Sequence, residues 1–250
     1  MDRSLYISMT GAKQNMYAQQ VNANNLANAG TTGFKQDFAN ARSMPVYGEH
    51  HPSRAYAMTE NPGADLSHGP MKQTGRSLDI AIKGDGWLAV EPEPGDEAYT
   101  RAGSLQVDAN GILRNDEGLP VMGNGGPVAV PLADKIEIGL DGTLSVVPAG
   151  APSDQLVEVD RLKLVNPDQD QIEKGEDGLF RLKEGADQEG PLQPDADVEV
   201  VSGFLEGSNV SAVESMIQNL QLSRQYEMQV KAMQTADENS QSVARLLQDL

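Results

Sequence analysis

NANNLANAGTTGFK, residues 22–35, closes a helical pattern of small and apolar residues that starts at Leu5. It carries four asparagines within seven positions and then meets Gly30 and Gly33. Asn is a poor helix former and needs hydrogen-bond partners wherever it is buried. A helix that spends amides this freely is expected to use Asn24, Asn25 and Asn28 as contact groups in a place where water is scarce. Gly30, Gly33 and Phe34 then mark the point where the chain leaves the helix for a different kind of structure.

Working upstream, Leu5, Met9, Ala12, Met16, Gln19, Ala23 and Leu26 follow an alternating four-three spacing, which is a heptad seam interrupted at Gln19. The other end of the chain repeats the pattern. Leu222, Tyr226, Gln229, Met233, Ala236, Ser240, Val243, Leu247 and Leu250 keep the same spacing. Ser211 followed by Glu214 gives that second helix a capping box. At 1.5 Å per residue the helices would be roughly 35 and 60 Å long, and neither is stable alone in water. They are expected to pair, as a coiled coil or as part of a larger helical layer.

Two features favour the layer. The second helix opens with another stripe, Val213, Ile217 and Leu220, on a different face from the Leu222 series, so it touches different neighbours along its length. Off-seam positions such as Ala18, Asn22, Gln218 and Asn219 are small or amide rather than paired charges. Such surfaces suit close packing among copies. The expected contact set comprises Leu5, Met9, Met16, Asn24, Asn25, Leu26 and Asn28 at one end. At the other it comprises Val213, Ile217, Leu220, Leu222, Tyr226, Met233, Val243 and Leu247.

Between the ends lies different material. The 250-residue chain has a formal charge of −18, yet residues 1–36 sum to +2 and residues 211–250 to −2, so 37–210 carries all the excess. All 14 prolines also lie there. From about Asp65 the period becomes two, in SLDIAI (77–82), WLAVEP (87–92), SLQV (104–107), KIEI (135–138), TLSVV (143–147), LVEVDRLKLV (156–165) and DVEVV (197–201). Turn pairs such as Asn110-Gly111, Asp141-Gly142 and Asp177-Gly178 separate them. The expected fold class is therefore α+β: paired terminal helices (1–36 and 208–250), an extended arm over 37–64, and an antiparallel β domain over 65–207, sandwich or barrel-like.

The totals exclude several functions. Strong acidity disfavours nucleic acid and anionic membranes, and no apolar run reaches a membrane span. With no cysteine there is no disulfide or thiolate site. The first thirty residues lack the apolar core of a signal peptide. Three histidines, His50, His51 and His68, match no zinc spacing, and no nucleophile motif or phosphate loop occurs. Asp108-Ala109-Asn110-Gly111 reads as a hairpin turn, because a calcium loop would need a downstream Glu and flanking helices. Asp168, Asp170, Glu173, Glu176 and Asp177 read as solvated loop charges, and Trp87 as a core anchor. The expectation is a non-enzymatic protein with no cofactor, metal or small-molecule substrate.

NNLANAGTTGFK (24–35) resembles the N-terminal signature of the bacterial flagellar rod and hook proteins, and GFLEGSNVSAVESMIQNLQLSRQYEMQVKAMQTADEN (203–239) resembles their C-terminal segment. LDIAIKGDGWLAV (78–90), YTRAGSLQVDANGIL (99–113) and IGLDGTLSV (138–146) look like the strand motifs of that family. The short link after the first helix and DGWL in place of G-x-G-F-F look more like proximal-rod members, with a distal-rod member the alternative. The resemblance implies a structural subunit of the basal-body rod that transmits torque from the motor to hook and filament. It implies export without a cleaved signal, a periplasmic position, and self and other rod proteins as partners. A soluble adaptor or export chaperone is the reading from a different class.

Overall fold

The computed structural model describes residues 3–45, 55–60, 63–152, 155–183 and 190–248. His50, His51 and the Asn61-Pro62 turn lie outside them, as do the side chains of Val243 and Leu247. The chain is α+β, with one helix at each end and an antiparallel, β-rich centre. It divides into two units: residues 1–28, 37–63 and 210–250 form the first, and residues 29–36 and 64–209 the second.

In the first unit, helix α1 (Arg3–Ala27) packs along helix α2 (Ala212–Gln248). The pairing is antiparallel, since Gln19 Nε2 donates to Asn219 Oδ1 at 2.9 Å and Asn22 Nδ2 to the Ser215 carbonyl at 2.7 Å, with Gly11 against Gln229. The Glu214 amide donates to Ser211 Oγ at 3.4 Å, satisfying one orphan donor of the first turn of α2. Along α2 the inward stripe runs through Ser215, Asn219, Leu222, Tyr226, Gln229, Met233, Ala236 and Ser240, none of which is exposed. Val213, Ile217 and Leu220 occupy another face and lie open.

The inner face of α1 differs from the heptad seam. Met9 and Met16 are exposed and Leu5 and Leu26 half-buried, while Ala12, Asn22 and Asn25 are buried. Close approach of the helices selects small residues and bonded amides, so the large apolar side chains rotate outward. The segment 37–64 is not simply an extended arm either. Strands Asn40–Pro45 and Ala55–Glu60 pair antiparallel in full register, from Asn40 opposite Glu60 to Pro45 opposite Ala55. The second of these lies against α1. Its residues (AYAMTE) carry too weak an alternation to announce a strand.

The second unit contains the apolar core. Its largest sheet has five antiparallel strands in the order 164–165, 87–90, 98–100, 180–182, 172–174. A three-stranded sheet orders 133–138, 143–148 and 157–161. Four two-stranded ribbons complete it, among them 80–83 with 199–202 and 71–73 with 204–206. One cluster of buried side chains joins Ile80, Ile82, Leu88, Leu105, Leu144, Leu164 and Val200, and a second joins Trp87, Tyr99, Val165 and Phe180. The Trp87 and Phe180 rings pack at a tilt of 41° with centroids 4.3 Å apart. The DANG turn closes strands 105–107 and 113–115, with Asp108 accepting the amides of Asn110 and Ile112 and the Nε–H of Arg114, and with Gly111 at φ 81°.

Candidate functional site: the junction of the two signatures

The segments that stand out in sequence at the two ends, GTTGFK (30–35) and EGSN (206–209), meet in the second unit. After α1 the backbone turns, and Gly33 adopts φ 70°, a conformation open to glycine at little cost. A Cβ there would stand 2.3 Å from the Arg101 carbonyl carbon, whereas one on Gly30 would meet nothing. The Gly33 amide donates to the Glu206 carbonyl at 2.8 Å, and the Asn209 amide to the Phe34 carbonyl at 3.3 Å. Asn209 also accepts from the Gln36 amide and donates to the carbonyls of Asp65 and Ser67. Its side chain therefore replaces a strand partner for two segments at once.

At the centre is a buried charge cluster. Lys35 Nζ meets Glu206 Oε1 at 2.7 Å, and Arg101 Nη1 meets Glu206 Oε2 at 2.8 Å. Lys35, Arg101 and Glu206 are 1%, 4% and 1% exposed. Buried ions need both a counter-charge and full hydrogen bonding. Lys35 also donates to the Ser67 carbonyl, Glu206 also accepts from the Gly69 amide, and Arg101 Nη2 donates to the Gly84 carbonyl. The Arg101 guanidinium lies 5.4 Å over the Trp87 ring and its Nη1 3.2 Å from His68 Nδ1. Lys174 clamps the outside, with Nζ 3.9 Å over the Phe34 ring and donating to the Lys35 carbonyl at 2.7 Å.

The electrostatics follow from this packing. Burial pushes the Lys35 ammonium below its ordinary value, against the pull of Glu206. Burial alone would raise Glu206, but the Lys35 hydrogen bond and the Arg101 charge outweigh it and hold the carboxyl below the usual range. Each charge is committed to a partner, and among the described residues no group of three or more His, Asp or Glu could hold a metal ion. What the arrangement can do is mechanical: it fixes the two ends of the β-rich unit to each other.

The expected contact residues are dispersed in this chain. Asn25 bonds its own chain, with Nδ2 donating to the Asp37 carbonyl and Oδ1 accepting the Asp37 amide, both at 2.9 Å. The Asn28 amide group donates back to the Asn24 carbonyl at 3.1 Å. Leu222, Tyr226 and Met233 face inward along α2, and Val213, Ile217 and Leu220 face outward. The glutamate, the arginine and both lysines of the junction escaped sequence reasoning. Lys35 and Glu206 are 171 positions apart, and only their place inside the two end motifs hinted at a pairing.

Both end motifs and the strands between them match family models of the axial proteins of the bacterial flagellum. The family model described as "Flagella basal body rod protein" matches residues 5–35, "Flagellar hook protein FlgE/F/G D1 domain" matches 81–146, and "Flagellar basal body rod FlgEFG protein C-terminal" matches 201–246. The chain is 43% identical to the flagellar basal-body rod protein FlgF of Escherichia coli and 41% identical to that of Salmonella typhimurium, over 99% of each chain in both cases. It is 30% identical to the rod protein FlgG of Bacillus subtilis over 98% of this chain and 99% of that one. This chain belongs to the flagellar basal-body rod protein family and is a structural subunit of that class.

Proposed function

We propose that this chain is a subunit of the proximal rod, the part of the flagellar drive shaft that passes motor torque toward hook and filament. α1 and α2 then form the inner helical layer of a tube, pairing in coiled-coil fashion with helices of neighbouring copies. The β-rich unit is sandwich or barrel-like in its packing, and the subunit works in the periplasm. Its partners are other copies and other rod proteins, below and above it. Export proceeds without a cleaved signal, no membrane insertion takes place, and no reaction is catalysed. Among the described residues no helix is long and apolar enough to cross a membrane.

The observation that carries this reading is the open apolar row on α2. Val213 is 69% exposed, Ile217 52% and Leu220 64%, with Met216 beside them. On α1, Met9, Met16 and Tyr17 are likewise open. Exposed rows of this kind mark surfaces that bind other chains. Contacts that do not close into a ring generate a helical array of subunits. The higher identity to FlgF than to FlgG favours the proximal over the distal rod.

The test is replacement of Val213, Ile217 and Leu220 together by serine in a strain whose only copy is the variant. The soluble chain should keep its urea midpoint, because these side chains leave no internal cavity. Purified basal bodies should lack it, and the cells should not swim. Normal motility would refute the assembly role. An adaptor or chaperone would be absent from wild-type basal bodies as well.

A further inference from the structure

Strand pairing in the second unit is unevenly distributed along the chain. Ribbons 105–107 with 113–115 and 133–138 with 143–148 are local and close early. Strands 80–83 and 71–73 instead have as sheet partners 199–202 and 204–206, from the last quarter of the chain. Val198 and Val200 complete the main apolar cluster beside Ile80 and Ile82. Glu206 supplies the counter-charge for both Lys35 and Arg101. Until residues 197–209 arrive, two strands lack partners and two cations lack the anion that makes their burial tolerable.

We infer that residues 197–209 are a closure segment, with Glu206 as its latch, so that a chain delivered N-terminus first cannot complete its β-rich unit before nearly all of it is present. Local hairpins form earlier, but the junction and the strands it anchors stay open. The two end motifs then serve as the two halves of one lock, in addition to any contact with neighbours. The locking step needs the charge of Glu206 specifically, because Lys35 and Arg101 converge on its two oxygens.

Fragment complementation of the full chain tests this. A specific protease site inserted between Gly190 and Pro191, where the chain is exposed, allows the folded protein to be nicked, unfolded and separated into two pieces. Trp87, the single tryptophan, is buried beside Arg101 and reports closure through its protection from acrylamide. The N-terminal piece alone should leave Trp87 open to the quencher, and adding the C-terminal piece should restore protection. A C-terminal piece carrying Glu206→Gln should bind at least about tenfold more weakly, because it leaves the two cations without their anion. In the intact, uncut chain the same substitution should move loss of Trp87 protection to lower urea. An N-terminal piece that protects Trp87 unaided overturns the proposal. So does a wild-type C-terminal piece that cannot restore protection, a Glu206→Gln piece that restores it equally well, or an unchanged urea midpoint.

Discussion

At the scale of single residues, backbone geometry and charge pairing set the outcome more than residue type does. Gly33 and Gly30 belong to one motif, yet only Gly33 has a positive φ and a neighbour where its Cβ would stand. Gly33→Ala should cost about 2 kcal/mol or more in urea unfolding followed at Trp87, from left-handed strain together with the clash on Arg101. Gly30→Ala should stay within about 0.5 kcal/mol. Asp108 gives a second case. The Arg114 hydrogen bond and the amides of Ile112 and Asn110 hold its carboxyl down at about 2, against an ordinary 3.8. A carboxyl lowered by folding adds stability above its unfolded value and loses it as pH falls through the folded one. Asp108→Asn should therefore flatten the decline in urea stability between about pH 4 and pH 2. Glu206, also held low, adds a loss of the same sign on the acid side.

At the scale of elements, the helices show how far periodicity carries. On α2 the stripe from Leu222 to Ser240 faces inward as its four-three spacing implies, and the separate Val213 row faces away. On α1 the same rule misplaces Met9 and Met16, because a face chosen for closeness and amide bonding leaves no hydropathy trace. The asparagines make sense on those terms. Asn25 bonds both the amide and the carbonyl of Asp37, so the chain after α1 is held by a side chain where a sheet partner would otherwise be needed. Asn25→Leu should leave a part-buried donor and acceptor without their partner at a local cost of about 1 kcal/mol, seen as faster hydrogen exchange at Asp37 and in the last turn of α1. Short strands were the other blind spot. Met71–Gln73 is exposed throughout and has no alternation, so only its pairing with 204–206 identifies it.

At the scale of the whole molecule, the charge and proline counts separate ends from centre, and the two units follow that division closely. The exceptions are residues 29–36, which belong to the β-rich unit although they continue the N-terminal motif, and residues 37–63, which belong to the helical unit although they carry three of the prolines. Gly30, Gly33 and Phe34 mark where the helix ends, but that residues 29–36 join the β-rich unit depends on Lys35 finding Glu206, 171 positions away. The units also differ in what holds them. Among the described residues of α1 and α2, only Ala12 and Ala236 are fully buried apolar side chains, whereas the β-rich unit buries a continuous cluster. Amides of both helices in the unassembled chain should therefore exchange at least about tenfold faster than those of strands 87–90 and 98–100. Equal protection would mean that the helices are complete without neighbours.

The burial of Lys35 gives the chain a chemical tally of its own state. Lys13 stands in the open on α1 and would accept an amine-reactive reagent whether the junction of the unassembled chain is open or shut. The Lys35 ammonium is 1% exposed, bonded to Glu206 and Ser67, and can be acylated only when the junction opens. The ratio of label on these two lysines, read by peptide mass spectrometry, would count shut molecules in a mixed population of unassembled chains.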